Sequence, residues 1–235
     1  MPLTVLDHYR NDDPFPPVSQ ALDEPDGLLA IGGDLSPELL LTAYQRGIFP
    51  WFSDDQPILW WSPDPRAVLF PSQLHVSRSL RKTLRRGIFS CTLNRCFARV
   101  ISACSDARPG QDGTWITPEM TDAYIDLAAR GAAHSVEVWK DQVLVGGLYG
   151  VAIGRVFFGE SMFSRRPEAS KVALVELSRL LLSCGYRLID CQLDSPHLAS
   201  MGAELMERSE FVTVLQRWCS ERPETDLRHL SGPLP

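Results

Sequence analysis

The run AAHSVEVWKDQVLVGGLYGVAIGRVFFGESMFSRRPEASKVALVELSRLLLSCGYRLIDCQ, residues 132–192, decides the fold. From Ala133 to Val138 the pattern alternates towards a strand, and Lys140-Asp141-Gln142 supply a turn. Val143 to Ile153 reads as a second strand kinked by glycines, and Gly154-Arg155 turns into a third, Val156 to Met162. The period then changes to that of a strongly apolar helix, about 169–184, closed by Gly185. Arg187 to Gln192 follows as a short buried strand. Three hairpin-linked strands, a crossover helix and a further strand make an α+β plan, with a mixed sheet and one helix packed on it.

Upstream, two helices announce their starts. Thr117-Pro118-Glu119 opens one that runs to Arg130 and stops at Gly131, and Ser77 to Arg86 forms another, stopped at Gly87. In the latter, Arg78, Arg81, Lys82 and Arg85 recur at spacings of three and four and share a face. The first 65 residues carry ten prolines and three of the six tryptophans, a composition expected for neither one long helix nor a sheet interior. One helix is well signalled there, at about 37–46, by Ser36 as cap, Pro37 at its first position and Gly47 at its end. The expected division is a small N-terminal domain, 1–65, and a larger domain, 66–235.

Charge follows the same division. Residues 1–64 hold eleven acids and two bases, whereas 65–235 hold 21 bases and 18 acids, within a net charge of −6. His75 to Ser105 contains seven Arg or Lys and no acid, which suggests a local anion site; from charge alone, a solvated helix face is the stronger reading. With 44% hydrophobic residues the chain of 235 has enough for a sizeable core. The longest uncharged apolar stretch, 143–154, is 12 residues with four glycines, too short to span a membrane. No basic region followed by an apolar core opens the chain, so a cytoplasmic protein is expected. The six cysteines form no C-x-x-C pair and sit at no zinc-ligand spacing, so neither a disulfide nor a structural metal is expected.

The strand–strand–strand–helix–strand order resembles the N-acyltransferases related to histone acetyltransferases. That resemblance implies a glycine-rich turn cradling the acyl-CoA pyrophosphate before the helix. Residues 164–170, SRRPEAS, contain no glycine, which argues against CoA as the donor. Seven runs carry a closer resemblance: DGLLAIGGDLSPELLLTAYQRGIFPWF (26–52), ILWWSPDPRAVLFP (58–71), GTWIT (113–117), HSVEVW (134–139), LVGGLYGVAIG (144–154), FFGESMFS (157–164) and LIDCQ (188–192). The chain resembles the leucyl/phenylalanyl-tRNA–protein transferases from about residue 14 to 215.

That resemblance implies transfer of leucine or phenylalanine, and also methionine, from aminoacyl-tRNA to the α-amine of proteins beginning with Arg or Lys, marking them for proteolysis. The ester is already activated, so no cofactor, ATP or metal is implied. Ester aminolysis needs a neutral amine near the carbonyl, support for the oxyanion and a proton route to the leaving oxygen. Asp190 and Gln192 match the family's catalytic pair; two apart on a strand, they are expected on one face. Periodicity alone reads them as a strand-end cap. Glu160, set among Phe157, Phe158, Met162 and Phe163, should be paired or used, either beside the transfer site with Asp190 or in a salt bridge to Lys171.

By the same resemblance, Leu148, Phe157, Met162 and Leu177 wall the donor side-chain pocket, with leucine at 148 and 177 where the family more often has Met and Phe. Trp51 and Trp115 are implied to hold the terminal adenosine, with Tyr44 and Tyr124 nearby. Arg78, Arg81, Lys82 and Arg85 are implied to meet acceptor-stem phosphates. Ser195 stands where the family often has asparagine. His134 and His197 have no serine-triad order or metal spacing, and His197 reads as a structural hydrogen-bonding residue. Two rivals remain: a CoA-dependent N-acetyltransferase and a non-catalytic tRNA-binding module.

Overall fold

The computed structural model describes residues 3–6, 14–106 and 116–234. The N-terminal part comprises β1 (Thr4–Leu6), β2 (Leu28–Gly32), α1 (Pro37–Gln45), β3 (Phe49–Pro50) and β4 (Leu59–Trp61), with its strands in the order β1-β2-β4-β3. This corrects the expectation that the proline- and tryptophan-rich segment would build no sheet interior. Trp60 lies fully buried on an inner strand and donates its indole N–H to the Gly32 carbonyl at 2.9 Å. The proline rule still holds residue by residue, because Pro50 lies on edge strand β3 and β2 and β4 contain none.

The rest of the chain runs β5 (Arg66–Leu69), α2 (Arg78–Arg85), β6 (Ser90–Leu93), α3 (Phe97–Ser105), α4 (Pro118–Ala129), β7 (Ala133–Lys140), β8 (Val143–Ile153), β9 (Val156–Ser164), α5 (Ala169–Ser183), β10 (Leu188–Gln192), α6 (Pro196–Ser200), β11 (Glu204–Met206), α7 (Arg208–Trp218) and β12 (Gly232–Pro233). Among the described residues these strands form a second, eight-stranded sheet in the order β11-β5-β10-β9-β8-β7-β6-β12. The β7-β8-β9 meander is antiparallel, and β10, after the α5 crossover, pairs with β9 in parallel. This is the expected α+β plan, strand–strand–strand–helix–strand, with a mixed sheet.

The helix starts form where the sequence placed them, because an N-cap is a local contact. Ser36, Ser77 and Thr117 each accept the backbone N–H three residues on, at 3.4, 3.2 and 3.1 Å. Each such cap is worth about 1 kcal/mol. The β7–β8 hairpin turns on Asp141 and Gln142, both with positive φ, the conformation that a two-residue primed turn demands.

One expectation needs enlarging: the sheet is covered on both faces rather than by one helix. Leu148, Phe157, Val136 and Val138 pack with α5, while Tyr149, Phe158 and Val151 pack with Val100, Ile101 and Tyr124 of α3 and α4. With both faces buried, β7–β9 read as nearly continuous apolar runs instead of clean alternation. α3 has no cap of its own at Cys96; instead buried Glu137 accepts the Arg95 and Cys96 amides, each at 3.2 Å. The core containing Phe158 and Tyr124 is continuous with Leu40, Tyr44 and Trp60, so the two sheets share apolar packing. No helix among the described residues is long and apolar enough to cross a membrane. The six cysteines are free thiols.

Candidate active site

Where β8, β9 and β10 face the N-terminal part, a cavity of about 900 Å³ opens. Its polar centre is Glu160, on β9. Tyr44 and Tyr124, both fully buried, donate their hydroxyls to the two carboxylate oxygens at 2.7 and 3.0 Å, and also touch each other. Gln192 donates its side-chain amide to Glu160 Oε1 at 2.7 Å.

The two phenols and the carboxylate thus form a hydrogen-bonded triangle. Burial pushes the Glu160 carboxyl up to about 7, and the nearby charge of Asp190 adds to the rise. The bonds from Tyr44, Tyr124 and Gln192 oppose it. The phenols move up well above 10, first by burial and next by the Glu160 charge. Such a carboxyl exchanges its proton near neutrality, as general acid–base work requires.

Asp190 is held differently. It is fully buried, and both its oxygens accept from Arg66, from Nε at 2.8 Å and from Nη2 at 2.7 Å. Its Oδ1 also accepts the Gln192 backbone N–H at 2.9 Å. Here β10 bulges: Asp190 pairs with Val68, Gln192 with the adjacent Ala67, and Gln192 has φ 63°. The expectation that simple alternation puts both side chains on one face is therefore replaced by a bulge that re-aims Gln192. Both residues still line the cavity.

The apolar wall is made by Leu148, Phe157, Met162 and Leu177, joined by Leu174 and Ile189. Gly150 makes that wall possible, since a Cβ there would lie 2.6 Å from the Phe157 ring and 2.1 Å from the Phe158 carbonyl oxygen.

Sequence comparison settles the family. The model for the leucyl/phenylalanyl-tRNA protein transferases matches residues 68–216, and the model for their N-terminal domain matches 33–64. The chain is 59% identical over 209 residues to a leucyl/phenylalanyl-tRNA–protein transferase of Aromatoleum aromaticum, covering 89% of this chain and 88% of that one. A Pseudomonas aeruginosa protein of the same description is 58% identical over 218 residues, covering 93% and 96%. The chain belongs to the leucyl/phenylalanyl-tRNA–protein transferase family. Among solved structures, L-PGS from Bacillus licheniformis aligns at TM-score 0.41 and 11% identity, over 72% of this chain and 54% of that one. A GCN5-related N-acetyltransferase from Kribbella flavida aligns at TM-score 0.37 and 15% identity, over 72% and 60%.

The structure of this transferase gathers Glu160, Asp190, Gln192, the four pocket residues and Trp51 around one cavity. Trp51 is 41% exposed and stacks at a tilt on Trp61, their centroids 5.6 Å apart. Trp115 lies outside the described residues. Tyr44 and Tyr124 offer no open ring face to a base; they are buried and spend their hydroxyls on Glu160. The alternative salt bridge from Glu160 to Lys171 does not form, because Lys171 pairs with Glu168 at 3.3 Å. Arg78, Arg81, Lys82 and Arg85 are exposed along α2, and none lines the cavity.

Ser195 caps α6 through the Leu198 N–H at 3.2 Å, a task that asparagine performs equally well. His197 lines the cavity, and among the described residues its buried Nε2 has no hydrogen-bond partner, which corrects its reading as a hydrogen-bonding residue on that side. His134 is buried away from the cavity against Asn94, its pKa driven down to about 4 by burial. Among the described residues no group of three or more His, Cys, Asp or Glu could hold a metal.

Sequence reasoning missed Arg66. The signal was the arginine of SPDPRAVLFP, a cation followed at once by an apolar run, where an unpaired charge is untenable.

Proposed function

We propose that the transfer named for this family, leucine or phenylalanine from aminoacyl-tRNA to a protein amino terminus, takes place in the Glu160 cavity. The observation that carries this reading is Glu160 itself: a carboxyl moved to about 7, hydrogen-bonded to Gln192 and set beside an apolar wall. The donor side chain lies against Leu148, Phe157, Met162 and Leu177. Pocket shape separates close apolar side chains by only about 1–3 kcal/mol per methylene, so methionine is accepted too. The terminal adenosine rests on Trp51, helped by Trp115, and Arg78, Arg81, Lys82 and Arg85 bind acceptor-stem phosphates.

Ionised Glu160 takes a proton from the acceptor ammonium and frees the amine. The amine attacks the ester carbonyl; the C–N bond forms, the bond to the 3′-oxygen breaks, and that oxygen receives the proton held by Glu160. The second proton shed as the amide forms returns to water. Gln192 orients the amine through the amide it also offers to Glu160.

The acceptor begins with Arg or Lys, whose cation suits a wall containing Glu160 and the exposed Asp194, and its product is marked for proteolysis. The division into units 1–65 and 66–235 and a cytoplasmic setting, where charged tRNA is made, complete this reading. The test mixes the protein with radiolabelled leucyl-tRNA and a model protein beginning with Arg. Label enters that protein, and does not enter the same protein beginning with Asp. Binding of leucyl-tRNA without consumption would refute the transfer and favour a tRNA-binding module.

A further inference from the structure

Arg66 opens β5 and has no exposed surface, a rare setting for a guanidinium. Its Nε and Nη2 grip both oxygens of Asp190 on β10, and Nη1 donates to the Gly47 carbonyl at 3.2 Å. The guanidinium carbon lies 4.7 Å from the Phe49 ring centroid and 4.9 Å from that of Phe211, on β3 and α7. Gly47 sits at φ 77°, in the left-handed region that favours glycine, and a Cβ there would press on the Phe211 ring at 3.0 Å. One side chain thus joins the turn after α1, the strand leading to Trp51, the bulge of β10 and α7.

The consequence runs through the bulge. Gln192 sits in the left-handed region, which non-glycine residues avoid unless something holds them there. The hold is the Asp190 oxygen that accepts the Gln192 N–H, and Arg66 fixes that oxygen in place. Gln192 then extends its amide to Glu160.

We propose that Arg66 is a positioning residue for transfer: it clamps Asp190, and Asp190 in turn fixes the backbone turn that aims the Gln192 amide into the cavity. This rests on the reading of that cavity as the transfer site. It also gives Asp190 a definite part, because with both oxygens engaged by Arg66 it serves as an anchor, and proton handling belongs to Glu160.

The test uses the full chain with Arg66→Lys, Arg66→Gln and Asp190→Asn, each checked by circular dichroism and thermal unfolding. Steady-state transfer gives kcat and donor KM across pH 6–9. Misaiming a group at the reacting centre costs about a hundredfold. Arg66→Gln should lose that much in kcat with donor KM nearly unchanged, and Arg66→Lys, which keeps the charge but not the fork, should recover part of it. Asp190→Asn keeps an acceptor oxygen for the Gln192 N–H, so it should turn over slowly with the acid limb of kcat unmoved.

A folded Arg66→Gln with wild-type kcat, or an Asp190→Asn whose acid limb is displaced, would overturn the proposal. Hydrogen exchange reads the clamp without any turnover: Arg66→Lys should speed exchange in the peptide 188–194 while α5 stays protected. Unchanged exchange there overturns the clamp even in a chain that transfers nothing, whereas a wild-type chain that transfers nothing overturns only the reading of the cavity.

Discussion

Replacing Tyr44 by Phe tests whether the Glu160 triangle sets the working pH of the enzyme. The substitution removes one hydroxyl, 2.7 Å from Glu160 Oε1, and leaves the buried ring in place. A hydrogen bond to an ionised group is worth about 1.5–3 kcal/mol, and one to a neutral group about 0.5–1.5 kcal/mol. Tyr44 therefore favours the carboxylate over the carboxylic acid by about 1–1.5 kcal/mol, or about one pKa unit. Losing it should carry Glu160 from about 7 up, by about one unit. At pH 7 the ionised fraction then falls from about a half to about a tenth, a fivefold loss in single-turnover rate. By pH 9 both proteins are mostly ionised and the rates converge. The assay follows labelled leucine into an Arg-starting protein from pH 6 to 9, at saturating donor, and reports the ratio of variant to wild type. The acceptor amine titrates in the same range, but identically for both proteins, so it cancels in the ratio. A ratio that stays constant with pH would show that Glu160 does not carry the reaction's proton.

Removing Arg78, Arg81, Lys82 and Arg85 together should weaken every tRNA alike and lower the salt slope by about 0.7–0.9 for each phosphate no longer neutralised. Trp51→Ala should weaken donor binding by about 1–3 kcal/mol with the slope unchanged, because stacking releases no counterions; a leucyl-adenosine donor should need Trp51 and ignore α2. Leu148→Trp or Leu177→Trp should fill the side-chain pocket and stop leucine and phenylalanine transfer, whereas normal transfer would place both residues in plain core. Asp190→Ala leaves the Arg66 cation buried without its counterion, so urea unfolding should show a loss of about 3–5 kcal/mol; a loss under about 1 kcal/mol would mean that Arg66 finds another partner.

The sequence by itself determined what rests on near neighbours along the chain. Caps at Ser36, Ser77 and Thr117 act over three residues, and the β7–β8 turn acts over two, so each was legible before any packing was known. The meander, the crossover helix α5 and β10 followed from the change of period alone, and the long runs around Glu160 and Asp190 identified the family. Tertiary structure alone decided the partners. Arg66 and Asp190 stand 124 residues apart, and Tyr44 and Glu160 stand 116 apart. No local pattern says that a tyrosine of α1 will cap a carboxylate of β9, or that β5 will enter the large sheet between β10 and β11. Those choices follow from burial: once Asp190, Arg66 and Glu160 lose water, each must take the polar group that packing brings within reach. Packing likewise turned Tyr44 and Tyr124 away from a base and towards Glu160. The bulge at Gln192 belongs to the same class, since a left-handed glutamine is sustained by a carboxylate that only the fold holds still.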